Sequence, residues 1–515
     1  MKPGDKIIFN TGVLYVRLLI GIGIGLFTTR LVLGALGETD FGIYTLVAGV
    51  VGMLGILNSS MSNAAMRFMA HSLGTDNEDT IRKTFNTTLF LHFVIGFFIV
   101  IIMEVAGLLM FEYLLNIPEG KLIDAKIVFH FMVLTTFITI ISVPYDAVIN
   151  AHENILALSL VDILIYVLKL ATAIYLTKSD ANLLVLYGLL MLLIQILSRI
   201  IKQWYSRSRY QECKINFRAY TDKELSKRIL SFSGWNLLGS ISAISVTQVR
   251  GILLNMFFGV LLNSADGISR KASDQVNLVS VNMTRALNPQ LVKSEGSGNR
   301  SRVLRLNEIA TKFSVYLFAI FAIPVIFEAN YLLNLWLKVV PEFSVIFCQL
   351  ILIGLFIDKF TFEIGTTIRA VGKIRNFQIA ETIPILFNIP ITYAVFKMGY
   401  PPYSIFFVNI FMALIAACVR LSFGKRVAGM DVYSFLKNGV LPVLFPLFLA
   451  TLAASIPQFL VEESFLRLCI TTISFLLMIT TSFWFLGLNE DESKKIKQIV
   501  YSVVQKVKLL KMNPH

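Results

Sequence analysis

Apolar residues along this chain gather into fourteen blocks of roughly twenty residues, divided by short polar intervals. The blocks run from Ile7 to Leu33, Gly42 to Met66, Phe85 to Phe111, Ile127 to Ile149, Ile155 to Leu176, Leu183 to Trp204, Ile229 to Phe258, Asn263 to Leu291, Phe313 to Phe327, Phe343 to Ile368, Phe377 to Phe396, Tyr403 to Phe423, Val440 to Ile456 and Phe465 to Leu486. About 20 apolar residues span the roughly 30 Å hydrocarbon core as a helix, so each block predicts a transmembrane crossing. The intervals alternate in charge. Lys2 and Lys6, Arg82 and Lys83, Arg199 to Arg228, Arg300 to Lys312, Lys373 and Arg375, Lys425 to Lys437, and Lys494 to Lys511 all fall on one side. The other side has few cations, chiefly Lys121, Lys126, Lys178, Lys338 and Lys397. The excess of Lys and Arg marks the cytoplasmic side, which predicts an even number of crossings with both termini inside.

Composition agrees with a polytopic, all-α membrane protein: 56% of residues are hydrophobic, 15% are charged and the mean hydropathy is +0.72. The net charge of +14 is what cytoplasmic loops facing anionic lipid accumulate, and it calls for no nucleic acid. Cys213, Cys348, Cys418 and Cys469 lack metal or redox spacing and read as packing residues. The five histidines form no metal pattern, and no Gly-rich phosphate loop is present, so neither an ATPase nor an enzyme with a metal or other cofactor is expected. The first block is too long for a signal peptide, contains Arg17, and lacks an Ala-x-Ala cleavage site.

The longest interval, Ser206 to Arg228, divides the blocks into six and eight. Within it Thr221 and Glu224 have capping-box spacing, predicting a helix that starts near Asp222. A weak repeat spans the division: Met61, Ala64, Ser72, Gly74 and Asn77 recur at one constant offset as Met283, Ala286, Ser294, Gly296 and Asn299. Parallel repeats of this kind build transporters with the substrate site between the halves. The predicted organisation is a six-helix lobe (1–206), a cytoplasmic linker (207–228), a second six-helix lobe (229–424), a final helix pair (437–488) and a tail (489–515). In the tail, Ile496, Ile499, Val500, Val503, Val504, Val507 and Leu510 share one helical face opposite lysines, a basic amphipathic helix suited to the inner leaflet.

Thr28-Thr29-Arg30, the run Leu36-Gly37-Glu38-Thr39-Asp40-Phe41-Gly42-Ile43-Tyr44, and Ala65-Met66-Arg67-Phe68 resemble the first two helices of the Wzx-type polysaccharide flippases of the multidrug/oligosaccharidyl-lipid/polysaccharide exporter superfamily. In the second half the resemblance rests on Ala265-Asp266-Gly267-Ile268 and on Asn288-Pro289 through Lys293 to Gly296. It implies two six-helix lobes rocking about a central cavity and two final helices resembling a lipid-groove pair. It also implies a substrate, a polyprenyl-diphosphate-linked oligosaccharide, moved across a bacterial inner membrane for O-antigen, lipopolysaccharide or other surface polysaccharide, and glycan polymerase machinery as a partner. Rival expectations are a cation-coupled multidrug antiporter of the same superfamily and a non-transporting scaffold for glycan assembly enzymes.

Ionisable residues inside crossings cost about 2.5–3.5 kcal/mol on insertion scales and usually face a polar interior. Arg17 and Arg250 lie deep in the first and seventh blocks. Guanidinium groups on opposing lobes suit a diphosphate, because the planar fork binds phosphate oxygens bidentately. The alternative for each is bonding to helix carbonyls or to a buried carboxylate such as Glu104. Arg30 and Arg67 match family positions but lie near block ends, where they can snorkel. Asp266, Arg270 and Asp274 follow at intervals of four, as a self-neutralising ladder or as cavity charges. Arg285 sits one turn before an expected helix end at Asn288-Pro289, where a headgroup would meet it. In the tenth block Lys359 and Glu363 are spaced to pair, which leaves Asp358 as the protonatable or sodium-binding carboxylate. Asp162 and Lys169 form a couple in the fifth block, and Pro442, Pro446 and Pro457 kink a greasy thirteenth block that suits a polyprenyl tail or plain lipid.

Overall fold

The computed structural model describes residues 3–52, 61–62, 64–66, 68–69, 72–73, 77–152, 154–296, 299–371, 375–490 and 492–494. Among them the regular structure is helical: α1 (Pro3–Gly52), α2 (Glu78–Tyr113), α3 (Leu122–Ala151), α4 (Ile155–Leu176), α5 (Leu183–Arg209), α6 (Lys223–Phe258), α7 (Leu261–Gly296), α8 (Arg300–Phe327), α9 (Ser344–Val371), α10 (Arg375–Lys397), α11 (Ser404–Ala428), α12 (Leu441–Leu460) and α13 (Phe465–Ser482), with short turns between. By length and composition, 11 described helical segments can cross a membrane. The expected fourteen crossings are compatible with that count. In α1, Gly37 breaks the helix at φ 73°, so α1 is two helices in succession, one for each of the first two blocks. The 36-residue α6 and α7 are each about 54 Å long, enough to cross a membrane, and lie outside that count. The tail from Ile496 lies outside the described residues.

Polar caps set the boundaries. Asp222, rather than Thr221, caps α6 by accepting from the Leu225 amide at 2.8 Å, close to the expected start. Asn77 caps α2 and Asn299 caps α8, so the last matched pair of the repeat performs the same task at the third helix of each half. One expected end is corrected: α7 continues through Pro289 to Gly296, because a proline kinks rather than stops a helix whose neighbours keep it packed.

The chain forms two compact units. The first comprises Met1–Ser269, Leu333–Phe347 and Ile385–Val408; the second comprises Arg270–Leu332, Cys348–Pro384 and Asn409–His515. In the first unit α3 packs on α5 and α2, and α1 packs on α4. Phe85 and Tyr145 meet edge-to-face at 5.4 Å in a core with Met69, Val148 and Leu158. The linker is docked rather than loose. Buried Asn86 donates to the Lys214 carbonyl at 3.1 Å and accepts from the Asn216 amide at 2.8 Å, and Cys213 is fully buried. Burial pushes the Cys213 thiol and the Tyr210 phenol up.

In the second unit α12 and α13 pack on each other and on α8 through Ala319, Ala450, Ala454 and Phe475. Small residues let these backbones approach, as is usual between membrane helices. The same two helices expose Phe445, Phe448, Ile456, Ile473 and Leu477, an apolar outer surface.

Candidate functional site: charges inside the helices

Arg17 on α1 and Asp162 on α4 form a 2.7 Å ion pair through Nη1 and Oδ2, both side chains remaining about 30% exposed (32% and 28%). Gly21, one turn after Arg17, makes this approach feasible. A methyl group there would stand 2.8 Å from the ring of Tyr166, one turn after Asp162. The pair replaces two expectations. Asp162 is held by Arg17 on another helix rather than only by Lys169, and Glu104 bonds His130 at 3.0 Å instead of an arginine.

A second pair joins Arg250 and Asp266. Gly259, at φ 82°, turns α6 back into α7, which brings the Arg250 Nε to 3.0 Å from Asp266 Oδ1. Both side chains are buried, at 9% and 1% exposure, and the guanidinium lies 5.2 Å from the Phe406 ring centroid. Arg250 thus has a carboxylate partner in Asp266, as Arg17 has in Asp162. Asp266 is partnered across helices instead of only along an Asp266–Arg270–Asp274 ladder.

Close to that pair, α1 crosses α7. A methyl group on Gly42 would lie 2.2 Å from the Val260 carbonyl and 3.4 Å from the Ser264 amide, and one on Gly267 would lie 2.7 Å from Thr45. Gly42 and Ser264, and likewise Thr45 and Gly267, are separated in sequence by the offset that relates Met61 to Met283. The two halves thus touch at equivalent positions, as a repeat related by an axis between its second helices requires. At the same end, Asn255 accepts from the Asn116 amide at 2.7 Å and donates to its carbonyl at 2.9 Å, and Trp336 donates to the Leu26 carbonyl at 2.8 Å.

The second unit holds the densest cluster. Arg420 on α11 donates through Nε to Glu381 at 2.7 Å and through Nη1 to Asp358 at 2.5 Å. Arg369 lies 3.7 Å from the other Glu381 oxygen. Asp358, expected to lack a local partner, is thus met by an arginine of another helix. Its arginine comes from a helix 62 residues away, beyond the reach of local spacing. Lys359 is buried over the rings of Phe318 and Phe362, and Glu363 is fully buried one turn on. Glu381 and Arg420 were missed as site residues, although each is a charge inside an apolar block and that signal was available. So was Glu328, fully buried, which accepts from Arg467 at 3.0 Å and Thr471 at 2.8 Å.

The remaining candidates are scattered. Arg30 is half-buried on α1, Arg270 and Asp274 lie on α7 in the second unit, Arg67 lies outside the described residues, and so does the side chain of Arg285. Among the described residues no group of three or more His, Cys, Asp or Glu is placed to hold a metal ion.

Residues 19–175 match the MatE family model. No curated protein matches the sequence with significance. Solved structures match along nearly their whole length. The lipid II flippase MurJ, in an inward closed conformation, superposes with a TM-score of 0.68 at 14% identity over 92% of this chain and 98% of MurJ. An inward-facing multidrug resistance MATE family transporter of the MOP superfamily gives 0.61 at 14% identity over 82% of this chain and 96% of its own. The MATE multidrug transporter DinF-BH gives 0.60 at 13% identity over 84% of this chain and 98% of its own. The chain shares the helical fold of these solved structures and is a multi-pass membrane protein. By their names these neighbours are transporters or flippases rather than enzymes.

Proposed function

We propose that this protein flips a polyprenyl-diphosphate-linked oligosaccharide from the cytoplasmic to the outer leaflet of a bacterial inner membrane, for surface polysaccharide assembly, by alternating access of two six-helix lobes. The observation that carries this choice within the superfamily is the length of the match. The MATE transporters are covered almost completely yet leave 16–18% of this chain over, whereas the flippase MurJ leaves 8%. A greasy helix pair, α12 and α13, packed on α8 is the additional element that a substrate with a lipid tail would use.

Each glycan hydroxyl stripped of water without a partner costs about 2 kcal/mol or more, so a hydrated cavity carries the head while the tail stays in lipid. Arg17 supports the diphosphate role best. Its guanidinium is held in place by Asp162 yet keeps enough exposure to donate further hydrogen bonds to phosphate. Arg30 adds a second cation on the same helix; Arg67, Arg270 and Arg285 complete the proposed anion path. With the cytoplasm negative, outward movement of the diphosphate gains about 2.3 kcal/mol per charge per 100 mV. Resetting by a returning proton or sodium ion would act at carboxylates that arginines already hold, Asp358 by Arg420 and Asp266 by Arg250, with Glu363 and Asp274 nearby in sequence. Cation binding there would release the arginine, which makes each pair a switch.

The test is flipping of fluorescent polyprenyl-diphosphate oligosaccharide in proteoliposomes with an imposed potential, beside complementation of a flippase-deficient strain. Flipping that needs the protein supports the proposal; an inert protein that instead exchanges cationic dyes for protons supports the multidrug antiporter, which the MatE match favours.

A further inference from the structure

One cavity is lined by none of the arginines described above. It has a volume of about 350 Å³ and sits between α2 and α3, near the end of both helices at which Tyr113 and Leu122 face each other. Its walls carry Glu104, Glu112, Lys126 and His130, with Phe111 and Phe129 packed edge-to-face at 5.5 Å behind them. Gly107 sets the helices close, since a methyl group there would stand 2.4 Å from the Phe129 ring. The surrounding side chains face outward: Leu108 is 71% and Ile123 73% exposed, on a helix pair otherwise apolar on that surface. The cavity therefore opens onto this exposed apolar surface.

The charges are graded by depth. Glu112 and Lys126 lie within about 6 Å of their helix ends at 1.5 Å per residue, at headgroup level. Both are exposed, and among the described residues neither has an ion-pair partner. Glu104 and His130, bonded to each other at 3.0 Å, lie about 14 and 12 Å deeper than the helix ends, beneath them. At headgroup level Glu112 and Lys126, an anion and a cation, thus flank a space of about 350 Å³.

We propose that this cavity binds the headgroup of an aminophospholipid from the adjacent leaflet, with Lys126 taking the phosphate and Glu112 the primary ammonium. The mixed signs select a zwitterion over an anionic headgroup, which would meet two carboxylates. The need for N–H donors to Glu112 selects a primary amine over a quaternary one, which has none. This site is independent of what the protein transports.

The experiment is native mass spectrometry of the full-length protein equilibrated with equimolar phosphatidylethanolamine, phosphatidylcholine and phosphatidylglycerol. Phosphatidylethanolamine retained about fivefold over each of the others, and lost to parity in Lys126→Gln with Glu112→Gln, is the expected result. Equal retention of the three lipids by the wild type, or preference for phosphatidylglycerol, overturns the proposal. So does an unchanged preference in the double variant. Because both side chains are exposed, the variant should keep the wild-type melting temperature, and the wild-type preference stands as a test without it.

Discussion

Gly42 meets the backbone of Val260 so closely that a single added methyl group would lie 2.2 Å from the carbonyl oxygen. The contact places the second crossing of one half against the corresponding crossing of the other, beside the buried Arg250–Asp266 pair. Gly42→Ala should therefore separate α1 from α7 and disturb that pair. Overpacking of this kind costs about 1–3 kcal/mol. The melting temperature in detergent should fall by several degrees, and transport should fall with it; Gly25→Ala, in open space, should change neither. A Gly42→Ala protein as stable as the wild type would show that the crossing is looser than described.

Arg17 is held by Asp162 but not enclosed. Arg17→Ala should reduce flipping by about tenfold or more while the protein still inserts and purifies. Arg17→Lys should recover little, because an ammonium lacks the planar fork. Asp162→Asn should retain part of the activity, since it removes the holder and not the donor. Wild-type flipping by Arg17→Ala in proteoliposomes would remove Arg17 from the substrate path.

Arg420 bridges Glu381 and Asp358 in a nearly dry setting, Arg420 and Glu381 being 10% and 9% exposed. Removing only the arginine leaves the buried Glu381 carboxylate short of a partner, which costs about 3–5 kcal/mol. Arg420→Met should be poorly expressed. Arg420→Met with Glu381→Gln and Asp358→Asn should recover most of the thermal stability, because no uncompensated charge remains. If the triple variant is stable and still shows full cation dependence of transport, the cluster is structural and the coupling site lies elsewhere.

Cys213 reports on the linker. Its thiol is buried and its pKa is raised, so at pH 7 to 9 the reactive thiolate is scarcer than for a free cysteine, and alkylation should be slow throughout that range. Asn86→Leu removes the two hydrogen bonds that pin Lys214 and Asn216 and should expose Cys213 to iodoacetamide, read by peptide mass spectrometry. Rapid labelling of Cys213 in the wild type would contradict the docked linker.

The regular pattern of apolar blocks carried most of the fold. The first two blocks separated at Gly37, the capping near Asp222, and the long charged helices α6 and α7 all fall where hydropathy and charge placed them. The repeat was visible as a few matched residues and acquired physical content in Asn77 and Asn299 as equivalent caps. The site was less legible. Charges inside blocks announced themselves singly, and their partners did not. Asp358 looked unpaired because only its own helix was in view, and Glu381 and Arg420 passed unnoticed because neither has an opposite charge one turn away.

Membrane insertion is decided residue by residue, by the free energy of transferring about twenty side chains and by the charge of the flanking loops, and both quantities are written locally. That is why the sequence alone determined the helical class, the approximate set of crossings and the presence of charges that must avoid lipid. Which charge neutralises which depends on groups within about 3 Å of each other that lie tens to hundreds of residues apart along the chain. Only the packed helices could join Arg17 to Asp162 and Arg250 to Asp266, and set Arg420 between Glu381 and Asp358.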